Sequence, residues 1–109
     1  MATIEDLHKL DIRIGKIISV EDFPEAKKPS YKLNIDFGSL GIKKSSAQLT
    51  GLYQKEDLLN KDIVAVVNFP PRQVANFISE VLVLGAVSEK HSTILLQPER
   101  KAEPGDKIA

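Results

Sequence analysis

Tyr31, Leu33, Ile35 and Phe37 alternate with Lys32, Asn34 and Asp36. A helix cannot satisfy that period of two, whereas a strand with one buried face does so directly. Such a strand needs partners, and the neighbouring segments supply them. From Ile12 to Val20 a second alternation places Ile12, Ile14, Ile18 and Val20 on one side and Arg13, Gly15, Ile17 and Ser19 on the other, with a bend expected at Gly15. Between the two, the prolines of Phe23-Pro24-Glu25-Ala26-Lys27-Lys28-Pro29 lack N–H donors and restrict the residues before them, so this stretch is a loop. Ile42 to Leu49 reads as a third strand with one solvated face, set between the glycine turn Gly38-Ser39-Leu40-Gly41 and Gly51. Ile63-Val64-Ala65-Val66-Val67 is a β-branched run expected to be covered on both faces and stopped by Pro70-Pro71. Val81 to Leu84 and Thr93 to Leu96 are expected to form a hairpin across the polar linker Ser88-Glu89-Lys90-His91-Ser92. Helix is confined to two short stretches. Thr3 caps an opening turn with Asp6 inside it and Ile4, Leu7 and His8 on one face, and Gln54 to Leu59 forms a turn or two closed by Asn60. Short strands with so little helix predict an all-β barrel, in which closure removes exposed edges.

The 109 residues suffice for one domain spanning 1–109, and 42% hydrophobic with 28% charged residues provides a packed core rather than a disordered chain. Lys and Arg number 15 and Asp and Glu number 15, so no long-range field draws the whole molecule to polyanions, and any contact with nucleic acid must come from a local patch. There is no cysteine, which removes disulfides, thiolate nucleophiles and thiolate metal sites. The opening Met1-Ala2-Thr3-Ile4-Glu5-Asp6 has neither a basic nor an apolar leader region, and no apolar run is long enough to span a bilayer. The expectation is a cytoplasmic protein without membrane insertion.

Catalysis finds little support. His8 and His91 lie at no spacing that suggests a shared metal and read as surface histidines, and neither a G-x-S-x-G elbow nor an S-x-x-K pattern is present. Gly38-Ser39-Leu40-Gly41 is explained by a turn rather than a phosphate cradle, because no lysine–serine pair follows it. The expectation is a binding protein with no catalytic residue, no metal and no cofactor. Two features favour binding. Lys27, Lys28, Lys32, Lys43 and Lys44 come from segments that neighbour one another in a meander, accompanied by the hydrogen-bonding groups of Ser45, Ser46, Gln48, Asn68, Arg72, Gln73 and Asn76. An ordinary solvated lysine face accounts for the lysines equally well. Phe23-Pro24, Phe69-Pro70-Pro71 and Phe77-Ile78 are expected in turns, where they plug a barrel end or line a groove. With four Phe and two Tyr, several of them needed for the core, the chain is poorly supplied for stacking single-stranded bases.

Asp11-Ile12-Arg13-Ile14-Gly15-Lys16-Ile17 and Phe23-Pro24-Glu25-Ala26-Lys27-Lys28-Pro29-Ser30-Tyr31-Lys32-Leu33 resemble the opening of the tRNA-binding-domain family, in particular its CsaA export-chaperone branch. Ser46-Ala47-Gln48, Asn68-Phe69-Pro70-Pro71-Arg72-Gln73 and Ser79-Glu80-Val81-Leu82-Val83-Leu84-Gly85 carry the resemblance across nearly the whole chain. It implies a five-stranded OB-type barrel whose terminal extensions form a homodimer, and an export-related chaperone that binds unfolded or preprotein segments. The alternative it leaves is a free-standing tRNA-binding protein acting in trans; a docking scaffold is a third. Matching positions nominate Lys43, Lys44, Ser46, Gln48, Asn68, Arg72 and Ser79 for nucleic acid or peptide backbone, and Phe23, Phe69, Phe77 and Ile78 are the candidates for apolar peptide contact. Glu80 stands where relatives carry glycine and is expected to repel phosphate, which favours polypeptide over tRNA.

Overall fold

A computed structural model describes residues 1–89 and 92–109. Lys90 and His91 lie outside the described residues, and with them the middle of the expected polar linker and the surface reading of His91. The chain opens with α1 (Ile4–His8), capped reciprocally: Asp6 N–H donates to Thr3 Oγ1 at 3.4 Å and Thr3 N–H donates to Asp6 Oδ2 at 3.0 Å. Next come the strands β1 (Ile12–Asp22), β2 (Tyr31–Asp36) and β3 (Ile42–Ala47), then the helical turn α2 (Lys55–Leu58) and β4 (Asp62–Val66). The chain finishes with the short strands β5 (Arg72–Val74), β6 (Phe77–Ser79), β7 (Leu82–Val83), β8 (Gly85–Ser88) and β9 (Ser92–Leu95). Five strands pair antiparallel in the order β3-β2-β1-β4-β7 and curl into a nearly closed OB-type barrel. Two small hairpins, β5–β6 and β8–β9, stand beside it.

The long strand β1 organises the barrel by changing partners along its length. Ile12 to Lys16 pair with β4, and Lys16 to Asp22 pair with β2. On its other edge the first half of β1 is met by the C-terminal segment: Ile14 N–H donates to Asp106 O at 2.9 Å, and the N–H groups of Gly105 and Ile108 donate to Ile14 O and Ile12 O at 2.7 and 2.9 Å. A register shift between Ile17 and Ser19 corrects the expected alternation. Ile17 faces the core while Ile18 is left exposed, and Val20 returns to the inside. The extra residue of a bulge reverses the parity of the strand, so one face cannot hold Ile12, Ile14, Ile18 and Val20 together.

Two apolar clusters result. Ile17, Leu33, Ile35, Phe37, Leu49, Leu58, Ile63 and Ala65 fill the barrel. Outside it, Ile12, Ile14, Val64 and Val66 pack under Leu10, Leu84 and Ala102, which is why β4 is covered on both faces as its sequence predicts. Gly15 is required inside rather than as a hinge, because a Cβ there would lie 2.5 Å from Ile35 Cγ2 and 2.6 Å from Phe37 Cε1. Gly105 takes φ 92° where the C-terminal segment crosses the turn after β2, and a Cβ there would meet Phe37 O at 2.6 Å.

The expected hairpin between Val81–Leu84 and Thr93–Leu96 is also corrected. β7 pairs with β4, and it is β8 that pairs with β9. Leu84 and Gly85 mark the change of sheet: Leu84 N–H donates to Val64 O at 2.8 Å, so the chain leaves the barrel only after Leu84, and Gly85 opens the hairpin.

Candidate functional site

One side of the barrel is closed without a regular ladder. Between β3 and the segment 79–81, Glu80 N–H donates to Lys44 O at 2.8 Å, and Lys44 N–H donates to the Glu80 carboxylate at 2.9 Å. Ser46 N–H donates to Ser79 Oγ at 3.1 Å, and the fully buried Ser45 hydroxyl donates to Val81 O at 3.0 Å. Side chains here do what strand backbone does elsewhere. Both residues work in this seam: Glu80 clasps the backbone of β3, and Ser79, 6% exposed, places its hydroxyl between the two segments.

The seam opens on each side into concave surface. A groove of about 820 Å³ is walled by Lys27 and Lys28 from the loop before β2, Ser46 and Gln48 from the end of β3, and Arg72 and Val74 from β5. Its far wall is β7 and the β8–β9 hairpin, including Val87, which is 89% exposed. Arg72 and Leu82 also border a smaller pocket of about 240 Å³ with Phe69, Pro70, Ser79, Glu80 and Val81. Polar groups that can meet a peptide backbone or a phosphate thus lie beside apolar surface that can take a side chain.

A second cluster lies on the outer face of β2 and β3. Pairing sets Lys32 opposite Ser46 and Asn34 opposite Lys44, so Lys32 and Lys44 share that face. The rings of Phe23 and Phe77 meet edge-on at 5.5 Å. Lys32 Nζ lies 5.1 Å from the first ring and 5.7 Å from the second, and Lys44 Nζ lies 5.3 Å from Phe77. Ammonium over an aromatic face is attractive, and here it gathers two cations on one plaque.

Of the nominated residues, Ser46, Gln48 and Arg72 come together in the groove, and Phe69, Arg72 and Ser79 in the adjoining pocket. Lys43 and Lys44 part company, since neighbours on a strand face opposite sides: Lys43 pairs with Ile35 on the inner face and Lys44 with Asn34 on the outer. Asn68 belongs to neither cluster, for it accepts from Asp11 N–H at 2.9 Å and donates to Lys9 O at 2.9 Å, fastening the N-terminal segment. Phe23 is only 3% exposed, and Phe77 and Ile78 lie in β6 rather than in a turn, so the apolar set is also divided. Ile78 points away from the plaque and is exposed. The residues that sequence reasoning misses are Val74, Leu82 and Val87, whose strands are too short to show a period. Lys27, Lys28 and Lys32 are visible in the sequence as charges but not as walls of separate sites. Among the described residues no group of three His, Asp or Glu is placed to hold a metal ion.

Residues 12–107 match the family described as putative tRNA binding domain. The structure superposes on a crystal structure of the CsaA chaperone protein from Picrophilus torridus with a TM-score of 0.94 and 59% identity, covering 100% of both chains. Chaperone CsaA from Bacillus anthracis str. Ames gives 0.95 and 54%, covering 100% of this chain and 99% of that one. Methionine--tRNA ligase of Methanococcoides burtonii is 35% identical over 96% of the chain, and the chain spans 15% of that ligase's length. The match over residues 12–107 shows that the chain belongs to the putative tRNA-binding-domain family, and within it the chain is similar from end to end to two proteins described as CsaA chaperones.

Proposed function

We propose that this chain is a CsaA-like chaperone that holds unfolded or preprotein segments in the groove beside the seam, with no catalytic step and no cofactor. The observation that carries the reading is the groove itself, where Ser46, Gln48 and Arg72 face exposed apolar surface in a chain similar from end to end to two proteins described as CsaA chaperones. Hydrogen-bonding groups engage main chain while Leu82 and Val87 in the groove, and Phe69 in the adjoining pocket, receive apolar side chains. The same reading makes the chain a cytoplasmic, single-domain homodimer whose exposed Ile4 and Leu7 take part in the contact. No helix among the described residues is long and apolar enough to cross a membrane.

A secondary capacity for tRNA is favoured by a separate observation, the Lys32–Lys44–Phe77 plaque, which offers two cations and an aromatic face outside the groove. The test compares an unfolded client peptide with tRNA on the same sample across a salt series. Replacing Lys32 and Lys44 by alanine should reduce the slope of log affinity for tRNA against log salt by about 1 to 2 units. Peptide affinity should stay within about twofold, since those lysines are not in the groove. Failure to suppress aggregation of any client without ATP would sink the chaperone reading, and a peptide affinity as salt-sensitive as that of tRNA would put both ligands on one charged surface.

A further inference from the structure

The far wall of the groove is a hairpin that stands off the barrel. In the register Gly85↔Leu95 and Val87↔Thr93, these four residues share one face of β8–β9, and all four line the groove. Its root is held, for Leu95 is 9% exposed and packs into the barrel cluster, whereas Val87 is 89% exposed. A two-stranded hairpin is marginal by itself, so its position depends on what props it.

The prop is the loop between β3 and α2. Gln48 and Leu49, at its start, line the groove themselves. Tyr53, at its end, does not line the groove but reaches in two directions. Its C=O accepts from the Tyr31 hydroxyl of β2 at 2.8 Å, and its own hydroxyl accepts from Leu95 N–H at 3.1 Å. That N–H is available because Leu96 N–H donates back to Leu84 O at 3.3 Å, and alternation along an antiparallel ladder then turns the Leu95 group outward. Gly51, midway along the loop, lies against the other end of β9. A Cβ there would stand 2.5 Å from Ser92 Oγ and 2.9 Å from Ser92 Cβ. One loop thus meets the wall near its root and again near its turn.

We propose that Tyr53 is a positioning residue for client binding: its hydroxyl, with Gly51 beside it, fixes the tilt of the β8–β9 wall and so the aperture of the groove. This rests on the polypeptide reading above and adds how that groove keeps its shape. With the bond made, Val87 and Thr93 are presented at a set distance from the rest of the groove. Without it, Leu95 N–H loses its acceptor, the hairpin samples other tilts, and only the fraction still held binds a client. The Lys32–Lys44–Phe77 plaque stands outside the groove and does not depend on the wall.

The experiment uses the full chain and a fluorescein-labelled eight-residue peptide of alternating leucine and serine, with binding read by anisotropy and with tRNA binding and thermal melting measured on the same samples. Tyr53→Phe keeps the ring and the main-chain carbonyl and removes the acceptor for Leu95 N–H. Peptide affinity should fall about three- to tenfold while tRNA affinity stays within about twofold. Gly51→Ala, in an exposed loop, should weaken peptide binding in the same way by pressing on Ser92. Adding Ser92→Gly to it should restore the affinity, since the obstructing side chain goes and φ 66° suits glycine. A general loss of stability would lower peptide and tRNA binding together. Unchanged peptide affinity in either single variant, or a parallel loss of both ligands, overturns the positioning role and leaves the chaperone reading in place. If the peptide does not bind the unaltered chain, the polypeptide reading itself fails and this proposal with it. Should Tyr53→Phe not fold, Gly51→Ala and its rescue decide the question alone.

Discussion

The two sides of this barrel are held by different means. Where β1 runs between β2 and β4, closure is a continuous backbone ladder with large apolar side chains interlocked behind it. Between β3 and residues 79–81, closure depends on Ser45, Ser79 and Glu80 reaching backbone groups that no strand reaches. The groove and the smaller pocket both lie on the stitched side. A completed ladder leaves no gap for a ligand, whereas a seam closed by side chains lets the flanking hairpins diverge and leaves concave surface between them. Binding surface is found where the barrel is least regular.

Breaking the laddered side should have the largest effect. Gly15→Val drives a branched side chain into Ile35 and Phe37, and with no space behind them the cost should be about 3 kcal/mol, lowering the melting temperature by roughly 10 °C or more in a thermal melt followed by circular dichroism. On the stitched side, Ser45→Ala deprives buried Val81 O of its shorter donor and should cost about 1 to 2 kcal/mol. Its signature is local: the Glu80 and Val81 amides should exchange faster while those of Ile14 and Ile17 keep their protection. Uniform acceleration across both sides would show that the two closures are one cooperative unit.

A smaller effect, of opposite sign, is expected at the β5–β6 hairpin. Ala75 sits at φ 52°, a region that costs a residue with a Cβ, so Ala75→Gly should stabilise the protein by about 0.5 to 1 kcal/mol in a denaturant titration. If the strain helps to aim β5 at the groove, the same change weakens peptide binding, and the two measurements separate those roles. The smallest effect concerns α1. The Asp6 carboxyl is held below its ordinary range chiefly by the Thr3 N–H and then by Lys9, so its contribution is present above the unfolded-state value of about 3.9 and lost as pH falls through the lowered folded value. Below about pH 4 the amides of α1 should lose protection before those of β1 do.

Legibility follows the length of each element. β2 is plain in the sequence because six residues with uninterrupted alternation admit one interpretation, and β4 because a β-branched run has no polar face to expose. The bulge in β1 is hidden: Ile17 and Ile18 are chemically identical, and only pairing with β2 decides which of them turns inward. The β5–β6 hairpin is hidden for another reason. Three-residue strands carry too few positions for a period, and Ala75-Asn76 is not a turn that composition announces. The candidate site inherits that limit. Ser46, Gln48 and Arg72 line one groove, whereas Asn68 and Ser79, equally polar and nominated on the same grounds, are bound up in fastening the fold.

By itself, then, the sequence determined the strand count of the sheet's centre, the capped opening helix and the family, since period, turn residues and matched motifs are properties of the chain order. The tertiary structure alone decided which polar groups remain free. Serine and glutamate side chains bond equally well to a ligand or to an unpaired strand, and the outcome depends on where the barrel fails to meet itself. At Ser45, Ser79 and Glu80 the fold takes them; at Ser46, Gln48 and Arg72 it leaves groups facing the groove.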